Sequence, residues 1–131
     1  MNLPLRILEL YKKKLFNMLA HEELLVIAQA TKERVFAPLE TVFTDGLVAS
    51  KLAVVIQGNV HSRPTGSPID QTAQLQILSA ESMLLNRPIP EIIMAGPGGA
   101  TCLLLNKNHF FTLVNEFPET LVVLLGGDSH L

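Results

Sequence analysis

The chain has 131 residues, 48% of them hydrophobic, with Lys+Arg of 10 against Asp+Glu of 12 and a formal net charge of -2. That is enough apolar surface for one core without disulfides or metals, and it excludes the basic field of a nucleic-acid binder. The single Cys102 has no partner for an internal disulfide and no zinc-spaced neighbours, which suits a reducing, cytoplasmic setting.

The N-terminal stretch MNLPLRILELYKKKLF is broken by Arg6, Glu9 and the run Lys12 to Lys14, so it holds no apolar stretch of signal-peptide length. The longest apolar runs fall far below the roughly 20 residues needed to cross a bilayer. From Leu5 to Leu19 the apolar positions Leu8, Tyr11, Leu15, Met18 and Leu19 recur at helical spacing, predicting a helix whose lysines form a solvated face. A second helix is predicted from His21 to Thr31, with Leu24, Leu25, Ile27 and Ala28 inward and Glu22 and Glu23 near its positive N-terminal end.

From Arg34 the period shortens. RVFAPLETVFTDG ends at an Asp45-Gly46 turn signal, KLAVVIQGNVHS is rich in strand formers with a turn signal at Gly58-Asn59, and AQLQIL alternates before Ser79. RPTGSPIDQT, residues 63 to 72, has the composition of a mobile loop. EIIMA and TCLLL flank GPGG, which reads as a further hairpin. NKNHFFTLVNEF and ETLVVLL read as two short helices divided by Pro118 and stopped at Gly126-Gly127, with Asn106 and Asn108 available as caps.

Helices, then strands, then helices is an α+β order, mainly β: an antiparallel jelly-roll β-barrel flanked by N-terminal and C-terminal helices. The expectation is a single domain over 1–131, with a helical lead-in at 1–33, the barrel at 34–106 and closing helices at 107–125.

Catalytic signatures are missing. His21, His61, His109 and His130 are scattered without metal-ligand spacing, and Ser62, Ser79 and Ser82 have no nucleophile-elbow setting. AGPGGAT is not followed by the Lys and Ser/Thr of a phosphate loop, and Cys102 sits in an apolar strand pattern that favours inert burial. No enzyme, metal or cofactor is expected.

The segment FAPLETVFTDGLVASKLAVVIQGNV, Phe36 to Val60, resembles the first half of cyclic-nucleotide-binding domains of the bacterial catabolite-activator and kinase-regulatory-subunit type. Phe36, Pro38, Glu40, Phe43, Gly46, Leu52, Val55, Gly58 and Val60 match the family pattern F-x-P-G-E-x-I-F-x-E-G-D-x-G-D-x-L-Y-x-V-x-x-G-x-V without a gap. Leu39 replaces a glycine, and Ala49 and Ser50 replace a Gly-Asp pair. The likeness weakens beyond this half.

In that family the binding cassette reads G-E-[LI]-A-L-L-x-x-x-P-R-[ST]-A. The resemblance implies a short helix whose amides and glycine approach the cyclic phosphate, a Glu on the ribose, and an Arg that pairs with the phosphate, which is ordinary anion binding. In one register, AESMLLNRPIPEI puts Glu81 on the ribose Glu and Leu84-Leu85 on the apolar pair, with Ala80 in place of the glycine, Met83 in place of the small Ala, and Pro90 where the Arg belongs. In the other, preferred here, LSAES from Leu78 to Ser82 matches the turn upstream of the cassette and the cassette helix has been shortened away. Either way the Arg is missing. Arg87 lies three residues before Pro90, between restricted backbone positions that disfavour its standing in.

The resemblance therefore implies a non-enzymatic regulatory or interaction module that has lost cAMP and cGMP binding and acts through a protein partner or a second copy of itself. No nucleic acid and no membrane span are expected. Its alternative is a working small-molecule sensor with an altered ligand, for which the candidate contacts are Ala80, Glu81, Ser82, Met83 and Arg87. No long dimerisation helix or DNA-reading pair follows the barrel, so this stretch is not expected to read DNA.

Overall fold

Residues 2–11, 21–63, 77–118 and 129–130 are described in the computed structural model of the chain. The elements are α1 (Leu3–Tyr11), α2 (His21–Ala30), β1 (Lys32–Phe36), β2 (Thr41–Phe43), β3 (Lys51–Arg63), β4 (Ile77–Leu78), α3 (Ala80–Leu85), β5 (Ile92–Asn106), α4 (Lys107–Glu116) and β6 (Ser129–His130). Mixed helix and antiparallel sheet, with strands dominant, is the architecture expected. No helix among the described residues is long and apolar enough to cross a membrane.

Both predicted N-terminal helices form where they are described. Asn2 Oδ1 accepts from the Leu5 amide at 3.0 Å and starts α1. Leu24, Ile27 and Ala28 are buried on α2, at the three- and four-residue steps that the sequence shows. Arg6 Nη1 donates to the Thr31 carbonyl at 3.0 Å, tying α1 to the end of α2. The predicted continuation through Leu15, Met18 and Leu19 lies outside the described residues, as do residues 64–72 of the predicted loop, 73–76 of the predicted AQLQIL strand and the predicted second C-terminal helix at 119–125; Arg63, expected in the loop, ends β3. At α4 the expected cap is present: Asn106 Oδ1 accepts from the His109 amide at 2.9 Å.

Six strands make one sheet in the order β1-β5-β3-β4-β6, with β2 also on β5. Among the described residues its two ends do not pair, so the sheet is not closed. All pairings are antiparallel except the short β4–β6 contact, which is parallel.

Two turn predictions need correction. The chain reverses neither at Gly58-Asn59 nor at GPGG, because β3 and β5 run past both and pair from Lys51↔Asn106 to Arg63↔Ile92. Asn59 alone faces residues 96–99, so the two turn signals meet in one bulge of a single ladder, which has a second register shift between Val55 and Gln57. Gly58 is required there: it has φ +79, and a Cβ on it would lie 2.3 Å from the Gly99 carbonyl oxygen. The bulge splits β5 into halves, one pairing with β2 at Ile93 and Met94, the other with β1 from Ala100 to Leu104.

Leu52, Ala53, Val54 and Val55 are all buried, since this stretch of sheet is covered on both faces. Strand alternation sends Leu52, Val54, Leu103 and Leu105 to the face covered by α2, α3 and α4, around Phe110 and Met83. Ala53, Val55 and Cys102 go to the other face, where Phe36, Val60, Ile93 and Ala95 complete the interior of the roll.

Candidate ligand site at the short helix

The short helix α3 bears on the register. Ala80–Leu85 is helical, so the preferred reading of 78–82 as a turn with the helix removed is corrected: a short helix is present where the cassette helix was expected to be lost. Six residues make a poor isolated helix, and the contacts that hold this one are tertiary. Ser79 precedes it at φ 75, its hydroxyl donating to the Lys51 carbonyl. Asn86 closes it at φ 52, and the Asn86 and Arg87 amides both donate to the Ser82 carbonyl.

The five candidate contact residues separate into two groups. Ala80, Ser82 and Met83 point into the protein, at 0%, 4% and 2% exposure. Ala80 and Met83 belong to the helix-covered core. Glu81 and Arg87 are exposed and line a cleft of about 320 Å³ with Ser82, Pro88 and Pro90.

Ser82 has a structural task. Its Oγ accepts from the Ala49 amide at 3.0 Å and donates to the Arg87 carbonyl at 2.6 Å, bolting α3 to the loop before β3 and to its own exit. A hydroxyl where the family pattern has Leu or Ile is the sequence signal for this; Ala49, as its partner, has no local signal at all. The exit is held a second time. Ile89 stands between two prolines that lack amide donors, and its own N–H donates to the Leu47 carbonyl while its carbonyl accepts from Gly46, each at 2.9 Å.

The matched turn at Pro38 is also explained. Leu39 has φ 64, the left-handed conformation for which the family glycine is suited. Glu40 Oε1 accepts from the Ala37 amide at 2.9 Å and Glu40 Oε2 pairs with Arg34 at 2.8 Å.

Solved structures share this fold. PKAR CBD2 with Sp-2Cl-cAMPS bound superposes with a TM-score of 0.77 at 15% identity, covering 95% of this chain and 84% of that one. The chain has the fold of a cyclic-nucleotide-binding domain. The regulatory domain of Toxoplasma gondii protein kinase A with cAMP gives 0.75 at 14%, over 95% of this chain and 49% of that one. The regulatory subunit of a cAMP-independent protein kinase A from Trypanosoma cruzi, bound to guanosine, gives 0.71 at 19%, over 93% and 45%. The chain thus spans about half the length of the two protozoan proteins. No family model matches the sequence, and no curated protein does. At these identities the likeness is one of fold.

Proposed function

We propose that the chain is a non-enzymatic regulatory or interaction module of cyclic-nucleotide-binding-like fold that does not hold cAMP or cGMP and works through a protein partner or a second copy. The carrying observation is the segment after α3. In the register that puts Glu81 on the family's ribose Glu, Pro90 falls where the phosphate-pairing Arg belongs, and the segment before it is fastened through Ile89 to Gly46 and Leu47. Losing a charge-assisted pair costs about 1.5–3 kcal/mol, about a tenfold to hundredfold weakening. The Ala80 side chain is wholly buried where the family has glycine. Arg87 has its backbone N–H and carbonyl tied to Ser82, with its side chain exposed beside Glu81.

A regulatory rather than catalytic role accords with the similar structures, which are regulatory domains and subunits of protein kinase A. Calorimetric titration with cAMP and cGMP tests the reading. No saturable heat up to about 100 μM is expected, and micromolar binding of either nucleotide overturns it.

One observation favours a second reading, a sensor with a changed ligand. The cAMP-independent regulatory subunit of Trypanosoma cruzi, of the same fold, binds guanosine, which carries no phosphate, and the cleft beside Glu81 is open. Saturable guanosine binding without cAMP binding would select this alternative.

A further inference from the structure

Three cations from two strands share one cleft. Lys32 and Arg34 are two residues apart on β1 and hence on one sheet face, and Lys51 opens β3. Between these strands runs β5, with Leu104 opposite both Lys32 and Ala53 and with Asn106 opposite Lys51. Register therefore gathers Lys32, Arg34, Lys51, Leu104 and Asn106 on the face whose interior row is Phe36, Val55 and Cys102, at the end where that row gives way to solvent. They line a cleft of about 320 Å³ together with Glu33. A second cavity of about 280 Å³ shares Arg34, Lys51 and Leu104 as its wall and is otherwise largely apolar, lined by Val42, Phe43 and Leu47 among others.

The charge here is only partly compensated. Arg34 pairs with Glu40 at 2.8 Å, and its guanidinium lies 4.4 Å from the Phe36 ring centroid, so the fork is held in place. Among the described residues neither Lys32 nor Lys51 pairs with a carboxylate. Asn106 Oδ1 is committed to the cap of α4, which leaves its amide N–H groups as donors. In a chain of net charge -2, this corner is a local cationic pole beside an apolar recess.

We propose that the two-lobed cleft binds a small phosphomonoester with an apolar body, the phosphate meeting Lys32, Lys51 and the free side of Arg34 and the body entering the Val42, Phe43 and Leu47 lobe. A monoester carries about −1.5 to −2 charges at pH 7, which answers Lys32, Lys51 and the free side of Arg34 after the Glu33 carboxylate on the same lining is counted against them; a cyclic diester carries one. Arg and Lys together are the usual partners of such an oxyanion. The site uses none of Glu81, Ser82 or Arg87, so micromolar cAMP binding at α3 would sink the reading of the previous section and leave this one standing.

Amide-resolved NMR titration at low salt with phenyl phosphate tests it. The expected result is saturable shifts confined to residues 32–36, 42–53 and 104–106, with inorganic phosphate weaker and phenol silent. Lys51→Glu and Lys32→Glu should each weaken phenyl phosphate at least about tenfold, with thermal melts unchanged because both side chains are exposed. Lys51→Gln, which only removes the charge, should weaken it less and in the same direction. Absent saturation, shifts centred on α3, or affinity unchanged in the lysine variants would overturn the site. Inorganic phosphate binding as tightly as phenyl phosphate would overturn the apolar lobe.

Discussion

Replacing Ser82 with Ala removes one hydroxyl and tests whether α3 is held by hydrogen bonds or by packing alone. Ser82 Oγ accepts from the Ala49 amide and donates to the Arg87 carbonyl, at 3.0 Å and 2.6 Å. Each bond is worth about 1 kcal/mol net, and a buried donor left without an acceptor costs about 1–3 kcal/mol. The Ala49 amide is that donor, on a residue 5% exposed, whereas Arg87 is exposed and its carbonyl regains water. The expected loss is about 2–3 kcal/mol, or about 8–12 °C in Tm at roughly 4 °C per kcal/mol for a domain of this size. Urea and thermal melts followed by circular dichroism measure it. Thr112→Ala is the control: it removes an exposed hydroxyl bonded to the Asn108 carbonyl and should stay within about 0.5 kcal/mol of wild type. If Ser82→Ala melts like Thr112→Ala, the two bonds contribute nothing and α3 is held by Ala80 and Met83.

Three further outcomes follow from the backbone and from Cys102. Gly46 and Gly58 both have positive φ, but a Cβ at Gly46 meets nothing within 4 Å while one at Gly58 meets backbone at 2.3 Å. Gly46→Ala should therefore lose only the left-handed penalty of about 1–2 kcal/mol, and Gly58→Ala at least about 1–3 kcal/mol more; equal denaturation midpoints would refute the close approach. Leu39→Gly should be neutral to stabilising by up to about 1 kcal/mol, since the αL cost is relieved and glycine's extra unfolded-state freedom offsets part of it; a clear fall in Tm would contradict this. Burial pushes the Cys102 thiol from 9.0 up to about 12, with Arg34 pulling it down more weakly. The folded chain then keeps its proton where the unfolded chain has released it, so this contribution to stability is intact below pH 9.0 and lost as pH rises towards about 12. A Cys102→Ala variant should melt with a flatter pH dependence across that window, and native Cys102 should resist thiol reagents at pH 8; rapid labelling would disprove its burial.

Much of the fold was legible locally. Helical spacing located α2 and α4, Asn106 announced its cap, and strand-forming residues around Gly46 and Gly58 carried the family pattern. The bulge was misread because Gly and Pro mark where a ladder is interrupted without saying whether the chain reverses there. That depends on what lies opposite, and here Asn59 and residues 96–99 lie opposite one another. The cassette helix was misread for a related reason: six residues carry too little helical preference of their own, and Ala49, Lys51 and Arg87 supply the bonds that hold it.

What the sequence by itself determined is the chemistry on offer: which side chains are apolar at which period, where φ must be positive, and that no Arg stands at Pro90. Tertiary structure alone decided which of these groups meet. Ser82 found Ala49, and Lys32, Arg34 and Lys51 gathered around Leu104, because strand register joins residues distant in the chain and no local propensity encodes that distance.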